Sequence, residues 1–256
     1  ERFYCEHLIR LPDSFQLNDD QCPISSRQLT RQACGLPDDA FVFCNFGSNH
    51  KITPQEFDIW MRLLAQVKGS VLWLMRGCDQ SVSNLQHEAS ERGIDPARLI
   101  FADRMSKPEH LARHKIADLF LDTFTCNAHR TGSDALWAGL PVLTLAGQQF
   151  AARVGASLLK AVALPELITQ TPAEYEACAM DLATSPDRLM SLRGKLKTLG
   201  RRAPLFNTQN MTHALELGFD MAFERHITGQ SPTHLDVPET SATEPMVTTK
   251  TPKSSA

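Results

Sequence analysis

The sequence predicts an α/β fold: a Rossmann-like, doubly wound parallel sheet followed by C-terminal helices. Three observations support this prediction. Short apolar segments recur from residue 40 onward, helical patterns separate them, and 256 residues with 42% hydrophobic residues can bury a large core. Segments that are apolar on both faces are typical of parallel strands, whose sheets are covered by helices on each side.

Five apolar segments are the predicted strands of this sheet. They are residues 41–46, 70–75, 98–102, 118–122 and 141–145. The carboxyl ends of parallel strands lie on one edge of the sheet, where these folds bind ligands. We therefore expect the loops that follow the strands to form one crevice. These loops are residues 45–51, 76–79, 103–110, 123–131 and 146–150.

Helices are predicted between the strands and after them. One follows the first strand, where apolar residues recur at the helical period: Phe57, Trp60, Met61, Leu64 and Val67. Two capping-box patterns, Ser106 with Glu109 and Thr131 with Asp134, predict the starts of two more. Four further helices follow the last strand, at residues 152–160, 172–183, 186–199 and 208–226, with breaks at Pro165 and near Pro204.

The predicted domain organisation is one lobe at residues 1–228 and a tail at residues 229–256. The tail consists largely of Ser, Thr and Pro and has hardly any large apolar residues. No core can offset the entropy of ordering such a segment, so we expect it to be disordered. The chain begins with Glu1 rather than Met, and we expect it to be a piece of a longer protein.

The composition argues against several classes of partner. The chain carries 26 basic and 29 acidic residues, evenly mixed, which predicts no nucleic-acid or anionic-membrane partner. It has no apolar run of about 18 residues and no signal-peptide pattern, which predicts no membrane span. The seven cysteines are scattered without a CxxC pair. This argues against a disulfide framework or zinc knuckle and favours a reducing, cytoplasmic location.

The most informative segment is residues 129–141, HRTGSDALWAGLP. It follows a predicted strand, opens a helix, and returns into the next predicted strand. The backbone amides at the start of a helix, together with the helix dipole, favour phosphate oxygens. The segment therefore predicts a site for the diphosphate of a sugar nucleotide.

Several ordered blocks of the chain resemble the C-terminal catalytic lobe of protein O-GlcNAc transferases, glycosyltransferase family 41, which includes bacterial members called SPINDLY-like. The blocks are CNFGSNHKITP (44–54), SVLWLMR (70–76), RLIFADRMSKPEHLAR (98–113), ADLFLDT (117–123), CNAHRTGSDALWAGLPVLTLAG (126–147), ARVGASLL (152–159) and LFNT (205–208). The resemblance covers residues 1–238. It implies the donor-binding lobe of a GT-B fold, whose N-terminal lobe has no counterpart in this chain.

The resemblance also implies roles for individual residues. Lys51 matches the family lysine that contacts the diphosphate and neutralises charge as UDP departs, and His129 matches a second diphosphate ligand. These two are the predicted catalytic residues. Thr131 matches a diphosphate ligand and Asp134 a ribose ligand. The rest of the predicted donor-binding set is Ser48, Met105, Lys107, His110, Arg113 and Arg130.

Five of these positions need comment. Lys107 and His110 match family residues that flank the ribose and uracil, and Arg113 lies one helical turn further on. Arg130 stands where the family usually has Thr, and Ser48 replaces a family Gln. These two departures bear more on the donor sugar than on the nucleotide.

The activity implied is inverting transfer of N-acetylglucosamine from UDP-GlcNAc to Ser or Thr hydroxyls of an acceptor protein. Because cationic side chains can stabilise the leaving phosphate, we expect no metal and no other cofactor. The family's catalytic histidines belong to the N-terminal lobe, which together with helical repeats is expected upstream. We therefore expect this chain alone to bind nucleotide weakly and to transfer little sugar.

Several alternatives stay open. One is the related O-fucosyl transfer from GDP-fucose, and another is a non-catalytic nucleotide-binding or interaction module. His110 and His114 have the spacing of metal ligands, but HLARH lacks the Glu of HExxH and no third ligand stands out. Cys126 lies three residues before His129, so a nucleophilic Cys–His pair is weighed against simple packing.

Overall fold

The computed structural model describes residues 4–239, and within them the chain forms eight β-strands and eight α-helices. The strands are β1 (Ile9–Arg10), β2 (Val42–Asn45), β3 (Val71–Met75), β4 (Leu99–Ala102), β5 (Leu119–Leu121), β6 (Val142–Leu145), β7 (Ile168–Thr169) and β8 (Leu235–Asp236). The helices are α1 (Pro54–Gln66), α2 (Asp79–Glu91), α3 (Lys107–Arg113), α4 (Arg130–Trp137), α5 (Val154–Ala161), α6 (Pro172–Thr184), α7 (Pro186–Leu199) and α8 (Thr208–Ile227).

Six of these strands form one parallel sheet in the order β4-β3-β2-β5-β6-β7. In its register Phe43 of β2 lies between Leu72 of β3 and Leu119 of β5. The chain builds the sheet outward in one direction from β2 to β4 and then in the other from β5 to β7. The order therefore reverses between β2 and β5, and a doubly wound sheet binds its ligand outside the carboxyl ends of such a strand pair.

The predicted doubly wound parallel sheet is confirmed. Each of the five predicted strands is present with both ends within one residue of the prediction. Their side chains are largely buried, and Val42, Leu72 and Leu119 are fully buried, as expected for strands covered on both faces. Strand β7 was not predicted, because a two-residue strand leaves no periodic pattern in the sequence.

Helix α1 shows why the first predicted helix forms. A true capping box begins it: the backbone N–H of Thr53 donates to Glu56 Oε1 at 2.8 Å, and the Thr53 hydroxyl donates to the other carboxylate oxygen. Its apolar face, which includes Phe57 and Trp60, is buried. Helices α5 to α8 confirm the four predicted C-terminal helices, whereas α2 was not predicted because Ala89 is its one buried residue among those described.

The chain divides into two compact units. The larger, residues 13–208, contains the six-stranded sheet and the predicted site. The described residues of the smaller unit are 4–12 and 209–239, where β1 pairs in parallel with β8. The predicted lobe of residues 1–228 thus includes parts of both units. The predicted disordered tail starts too early, because Leu235–Asp236 within it form β8; residues 240–256 lie outside the described residues. In residues 4–239 no helix is long and apolar enough to cross a bilayer.

Candidate functional site

The carboxyl ends of β2 and β5 are tied together by one buried side chain. Asn45, the last residue of β2, donates from Nδ2 to the Leu121 carbonyl at 2.7 Å. Its Oδ1 accepts the backbone N–H of Gly47 at 2.8 Å, which turns the chain sharply after the strand. A Cβ at Gly47 would stand 2.9 Å from the same oxygen. The turn that carries Lys51 is therefore fixed against the end of β5.

Lys51 ends the 3₁₀ turn Asn49–Lys51 and extends across the crevice to the loop after β5. Its half-buried side chain donates from Nζ to the Asn127 carbonyl oxygen at 3.1 Å. One of the three ammonium donors is thus used, and the others remain available for a ligand. The residue whose carbonyl Lys51 contacts, Asn127, precedes His129 by two residues.

Helix α4 begins at Arg130, one residue before Thr131, and its N-cap residue is His129. The predicted capping box of Thr131 and Asp134 is therefore wrong: Thr131 lies inside the first turn, and Asp134 pairs with Lys107 instead. The His129 side chain makes no capping hydrogen bond to the first amides of α4. The first amides of a helix have no partner within the helix, so this end of α4 can accept an anion.

His129 lies half-buried beside this helix end. Its Nε2 is 3.5 Å from the Ala151 carbonyl oxygen. Burial lowers the pKa of His129, and the positive charge of Lys51 lowers it further against the opposing effect of the Ala151 contact. Since an unperturbed histidine has a pKa of about 6.5, the ring is mostly neutral at pH 7. Lys51 contacts the Asn127 carbonyl, and His129 follows Asn127 by two residues, so both side chains adjoin the loop after β5.

Two exposed aromatic rings flank His129. The Phe15 ring is 6.1 Å from the imidazole and the Phe150 ring 6.2 Å, and the two phenyl rings meet edge to face at 4.8 Å. Phe150 ends the loop of residues 146–150 that was expected at the crevice, whereas Phe15 lies in no segment that predicted a site, so the aromatic pair was missed by sequence reasoning. They give one side of the crevice an apolar border.

An ion pair connects helices α3 and α4. Lys107, the first residue of α3, donates from Nζ to Asp134 Oδ2 in α4. The Lys107 side chain is 38% exposed and that of Asp134 16% exposed, so the carboxylate is the better shielded partner. At the N-cap of α3, Ser106 donates its hydroxyl to Glu109 at 2.8 Å, a side-chain pair in place of the predicted capping box.

Arg113 lies behind His110 and is 1% exposed. It donates from Nε to His110 Nδ1 at 2.8 Å and from Nη1 to the Asp103 carbonyl at 2.7 Å. Its guanidinium also stacks over the Phe46 ring, 4.9 Å from the centroid. Burial, with the charges of Arg113 and Lys107, lowers the pKa of His110 to about 3. Because Nδ1 accepts a bond, the neutral ring carries its proton on Nε2.

The remaining predicted residues are exposed around the crevice. Ser48 precedes the turn that ends in Lys51 and is exposed; Arg130 opens α4 and is exposed; Met105, 39% exposed, lies in the loop before α3. Thr131 is half-buried in the first turn of α4. The structure thus gathers the predicted residues along three segments that meet at the β2–β5 edge, with Arg113 buried beneath them.

A buried polar cluster under the His129 loop was also missed. Asp122, the residue after β5, and Asn127 are both fully buried. Burial raises the pKa of Asp122 to about 7, while the Thr144 hydroxyl, the amides of Ala128 and Thr123, and the charge of Lys51 act in the opposite direction. The sequence signal was a polar residue directly after a predicted strand, but the contact that ties Asp122 to β6, with the Thr144 hydroxyl, lies 22 residues along the chain.

The sequence leaves two other arrangements open: a metal site at His110 and His114, and a nucleophilic pair of Cys126 and His129. In the described residues no group of three His, Cys, Asp or Glu side chains is placed to hold a metal ion. The His114 Nδ1 meets the His110 carbonyl at 2.7 Å, and the two imidazoles pack edge to face. Cys126 Sγ is 4.0 Å from the Asn127 carbonyl, whereas the contacts of the His129 ring are with Ala151 and the flanking aromatic rings.

Comparison with known proteins identifies similar sequences and folds. The model of the family described as "Glycosyl transferase family 41" matches residues 16–215. A Caenorhabditis elegans protein named UDP-N-acetylglucosamine--peptide N-acetylglucosaminyltransferase is 37% identical over 216 residues, which are 84% of this chain and 19% of that protein. An Arabidopsis thaliana protein, "Probable UDP-N-acetylglucosamine--peptide N-acetylglucosaminyltransferase SEC", is 35% identical over 243 residues, 92% of this chain and 25% of that protein.

A solved structure shares the fold. It is a mutant of the Thermobaculum terrenum O-GlcNAc transferase, which matches with a TM-score of 0.73 and 26% identity over 88% of this chain and 42% of that chain. The predicted Rossmann-like lobe of a GT-B glycosyltransferase is thereby confirmed. The chain spans 19% and 25% of the two curated relatives, so much of each relative has no counterpart here.

Proposed function

The chain belongs to glycosyl transferase family 41, and on that premise we propose that it is the donor-binding lobe of a protein O-GlcNAc transferase. The reaction is transfer of N-acetylglucosamine from UDP-GlcNAc to Ser or Thr hydroxyls of an acceptor protein, with inversion at the anomeric carbon. The names of the relatives support this donor and acceptor class.

The observation that carries the proposal is the meeting of a cation and a helix start at the point where the strand order reverses. Lys51, in the turn after β2, contacts the Asn127 carbonyl in the loop after β5. Two residues further along that loop, His129 occupies the N-cap position of α4. A diphosphate there would receive the Lys51 ammonium and the α4 amides together. His129 and Thr131 lie at the same helix end and complete the diphosphate contacts.

The chemistry explains why these groups are needed. The acceptor oxygen forms a bond to the anomeric carbon as the bond from that carbon to the β-phosphate oxygen breaks. The electron pair leaves with UDP, and the hydroxyl proton passes to a base that the family resemblance places on the N-terminal lobe. Negative charge therefore grows on the leaving phosphate, where Lys51 stabilises the transition state more than the ground state. This arrangement needs no metal or other cofactor.

The nucleoside end is assigned to α3 and the first turns of α4. Asp134 offers carboxylate oxygens to ribose hydroxyls while Lys107 holds it in place. His110 offers Nε2–H, since Arg113 occupies Nδ1. Ser48, Met105 and Arg130 border the donor from exposed positions. For the whole protein we propose an upstream N-terminal lobe with helical repeats and a cytoplasmic location, which the free cysteines of the described chain support.

The test uses the full-length protein. Calorimetric titration with UDP and with GDP, followed by transfer assays with UDP-GlcNAc and GDP-fucose on a mixture of cytoplasmic proteins, separates the candidate activities. We expect UDP binding and N-acetylglucosamine transfer that EDTA leaves unchanged. Preference for GDP and fucose transfer would replace this donor, and nucleotide binding without transfer of either sugar would make the protein a non-catalytic module.

A further inference from the structure

A buried carboxylate that the proposed reaction does not use lies directly behind the diphosphate loop. Asp122 is 0% exposed. Its Oδ1 accepts the backbone N–H groups of Thr123 at 2.9 Å and Ala128 at 2.6 Å, and its Oδ2 accepts the Thr144 hydroxyl at 2.7 Å. Because Ala128 immediately precedes His129, the carboxylate fixes the backbone from which His129 and α4 begin.

Asn127 connects this carboxylate loop to Lys51. Its Nδ2 donates to the Thr123 carbonyl at 2.7 Å, and its Oδ1 accepts the Gly155 amide at 3.1 Å. Its backbone carbonyl is the acceptor for Lys51 Nζ. The carbonyl that Lys51 contacts is therefore positioned by the same short loop that Asp122 closes.

The space around the carboxylate is tightly filled. A Cβ at Gly155 would stand 2.6 Å from Asp122 Oδ2 and 2.4 Å from Thr144 Oγ1. On the far side the Tyr175 hydroxyl donates to the Asp122 backbone carbonyl at 3.1 Å. A side chain longer than Asp has no room here, and the loop cannot shift without moving α5 or α6.

Few ionisable groups face Asp122. Lys51 acts on it from the turn after β2, and the fully buried Tyr175 from α6; β6 and α5 contribute Thr144 and Gly155, which do not ionise. Burial favours the neutral form, whereas the Thr144 hydroxyl, the amides of Ala128 and Thr123 and, to a smaller extent, the charge of Lys51 favour the charged carboxylate. Together these effects set the pKa of Asp122 at about 7.

We propose that Asp122 is a positioning residue of the donor site, which holds the loop from Thr123 to His129 and takes up a proton when the diphosphate of a nucleotide sugar engages Lys51. The inference rests on the proposed function. A bound diphosphate offsets the ammonium charge and adds negative charge nearby, so the charged carboxylate loses the part of its stabilisation that Lys51 supplies. The proton comes from solvent and is placed on Oδ2, while Oδ1 continues to accept both amides and the Thr144 hydroxyl turns to accept.

The test is calorimetric titration of the full-length protein with UDP-GlcNAc, in buffers of different ionisation enthalpy. This donor has no group that titrates near neutrality, so proton uptake reports the protein. If donor binding raises the pKa of Asp122 by about half a unit to one unit, the affinity is about three- to tenfold higher near pH 6 than near pH 8.5. A fraction of a proton is then taken up per donor bound near pH 7.

Three variants make the assignment specific. Asp122→Asn keeps the oxygen that accepts the two amides, so we expect it to bind donor with neither the pH dependence near 7 nor the proton uptake. Thr144→Val removes a hydrogen bond that favours the charged form, and we expect it to move the midpoint of the pH profile upward. Asp187→Asn, a change at an exposed carboxylate at the start of α7, serves as the matched control and keeps the wild-type profile.

The outcomes separate this inference from the proposed function. Proton uptake by Asp122→Asn equal to that of wild type would overturn the assignment, as would an unchanged midpoint in Thr144→Val if the Asn variant fails to fold. Donor binding that does not vary with pH would contradict this inference alone. A full-length protein that binds no UDP-GlcNAc at any pH would contradict both.

Discussion

Replacing Lys51 with Met is the most direct perturbation of the proposed chemistry. The change removes the ammonium and keeps a flexible side chain of similar length. In the structure Nζ has one backbone partner, the Asn127 carbonyl at 3.1 Å, which leaves two of the three ammonium donors for a ligand. A hydrogen bond from a charged donor contributes about 1.5–3 kcal/mol, and a tenfold change corresponds to about 1.4 kcal/mol. We therefore expect the variant to lose about one to two orders of magnitude in kcat/KM.

The loss is expected mainly in kcat, since charge on the leaving phosphate is larger in the transition state than in the bound donor. Steady-state kinetics of the full-length protein with UDP-GlcNAc measure it, and UDP titration measures the ground-state share. Lys115→Met is the matched control, because this exposed lysine precedes β5 at the opposite edge of the sheet. Turnover by Lys51→Met within about twofold of wild type, with the same thermal midpoint, would refute the role.

Three further predictions follow from the geometry. Asp134→Ala removes the partner of Lys107 and the proposed hydrogen-bond acceptor for the ribose. We expect the affinity for UDP to fall about tenfold and the affinity for inorganic pyrophosphate to stay the same. Equal losses for both ligands would contradict a ribose contact. Arg113→Met removes a buried cation that lowers the pKa of His110, so this pKa should rise above about 3, measured by NMR of the imidazole; an unchanged value would contradict the contribution of Arg113 and leave burial and Lys107 as its causes. Asp122 has a pKa of about 7 in the folded state against 3.8 for an exposed Asp, so it stabilises the fold at low pH and this contribution is lost as pH rises from about 4 to about 7. The free energy of unfolding, measured with urea, should therefore rise for Asp122→Asn relative to wild type between about pH 5 and about pH 8, by up to a few kcal/mol. A difference between the two proteins that does not change with pH would contradict the burial of a titrating carboxyl group.

The sheet could be predicted because its information is local. Each strand is an apolar run whose residues, such as Leu72 and Leu119, are buried on both faces, and such a run is visible in the sequence without its partners. Strand β8 was missed because it exists only by pairing with β1, at the other end of the chain. A strand of two residues needs no apolar pattern of its own, because the backbone of its partner strand supplies the hydrogen bonds.

The error at α4 has a similar cause. Thr131 and Asp134 have the spacing of a capping box, but the Asp carboxylate is one methylene shorter than Glu and has a lysine within reach. That lysine, Lys107, is 27 residues away along the chain, so a local pattern could not disclose it. The aromatic border of Phe15 and Phe150 was missed for the same reason, since the two rings meet only in the fold.

Lys51 links the parts of the site electrostatically. Its charge lowers the pKa of His129 on one side and opposes the burial of Asp122 on the other. Near pH 7 the imidazole is mostly neutral and Asp122 is close to half-protonated, so the positive charge around the loop rests on the Lys51 ammonium and on the exposed Arg130 guanidinium at the start of α4. A donor diphosphate carries two negative charges, more than Lys51 alone offsets, and the remainder falls to Arg130, to the amides of α4 and to proton uptake. Two features thus compensate the same negative charge. One is the start of α4, which has no side-chain cap, and the other is the Asp122 carboxyl group, whose pKa is about 7.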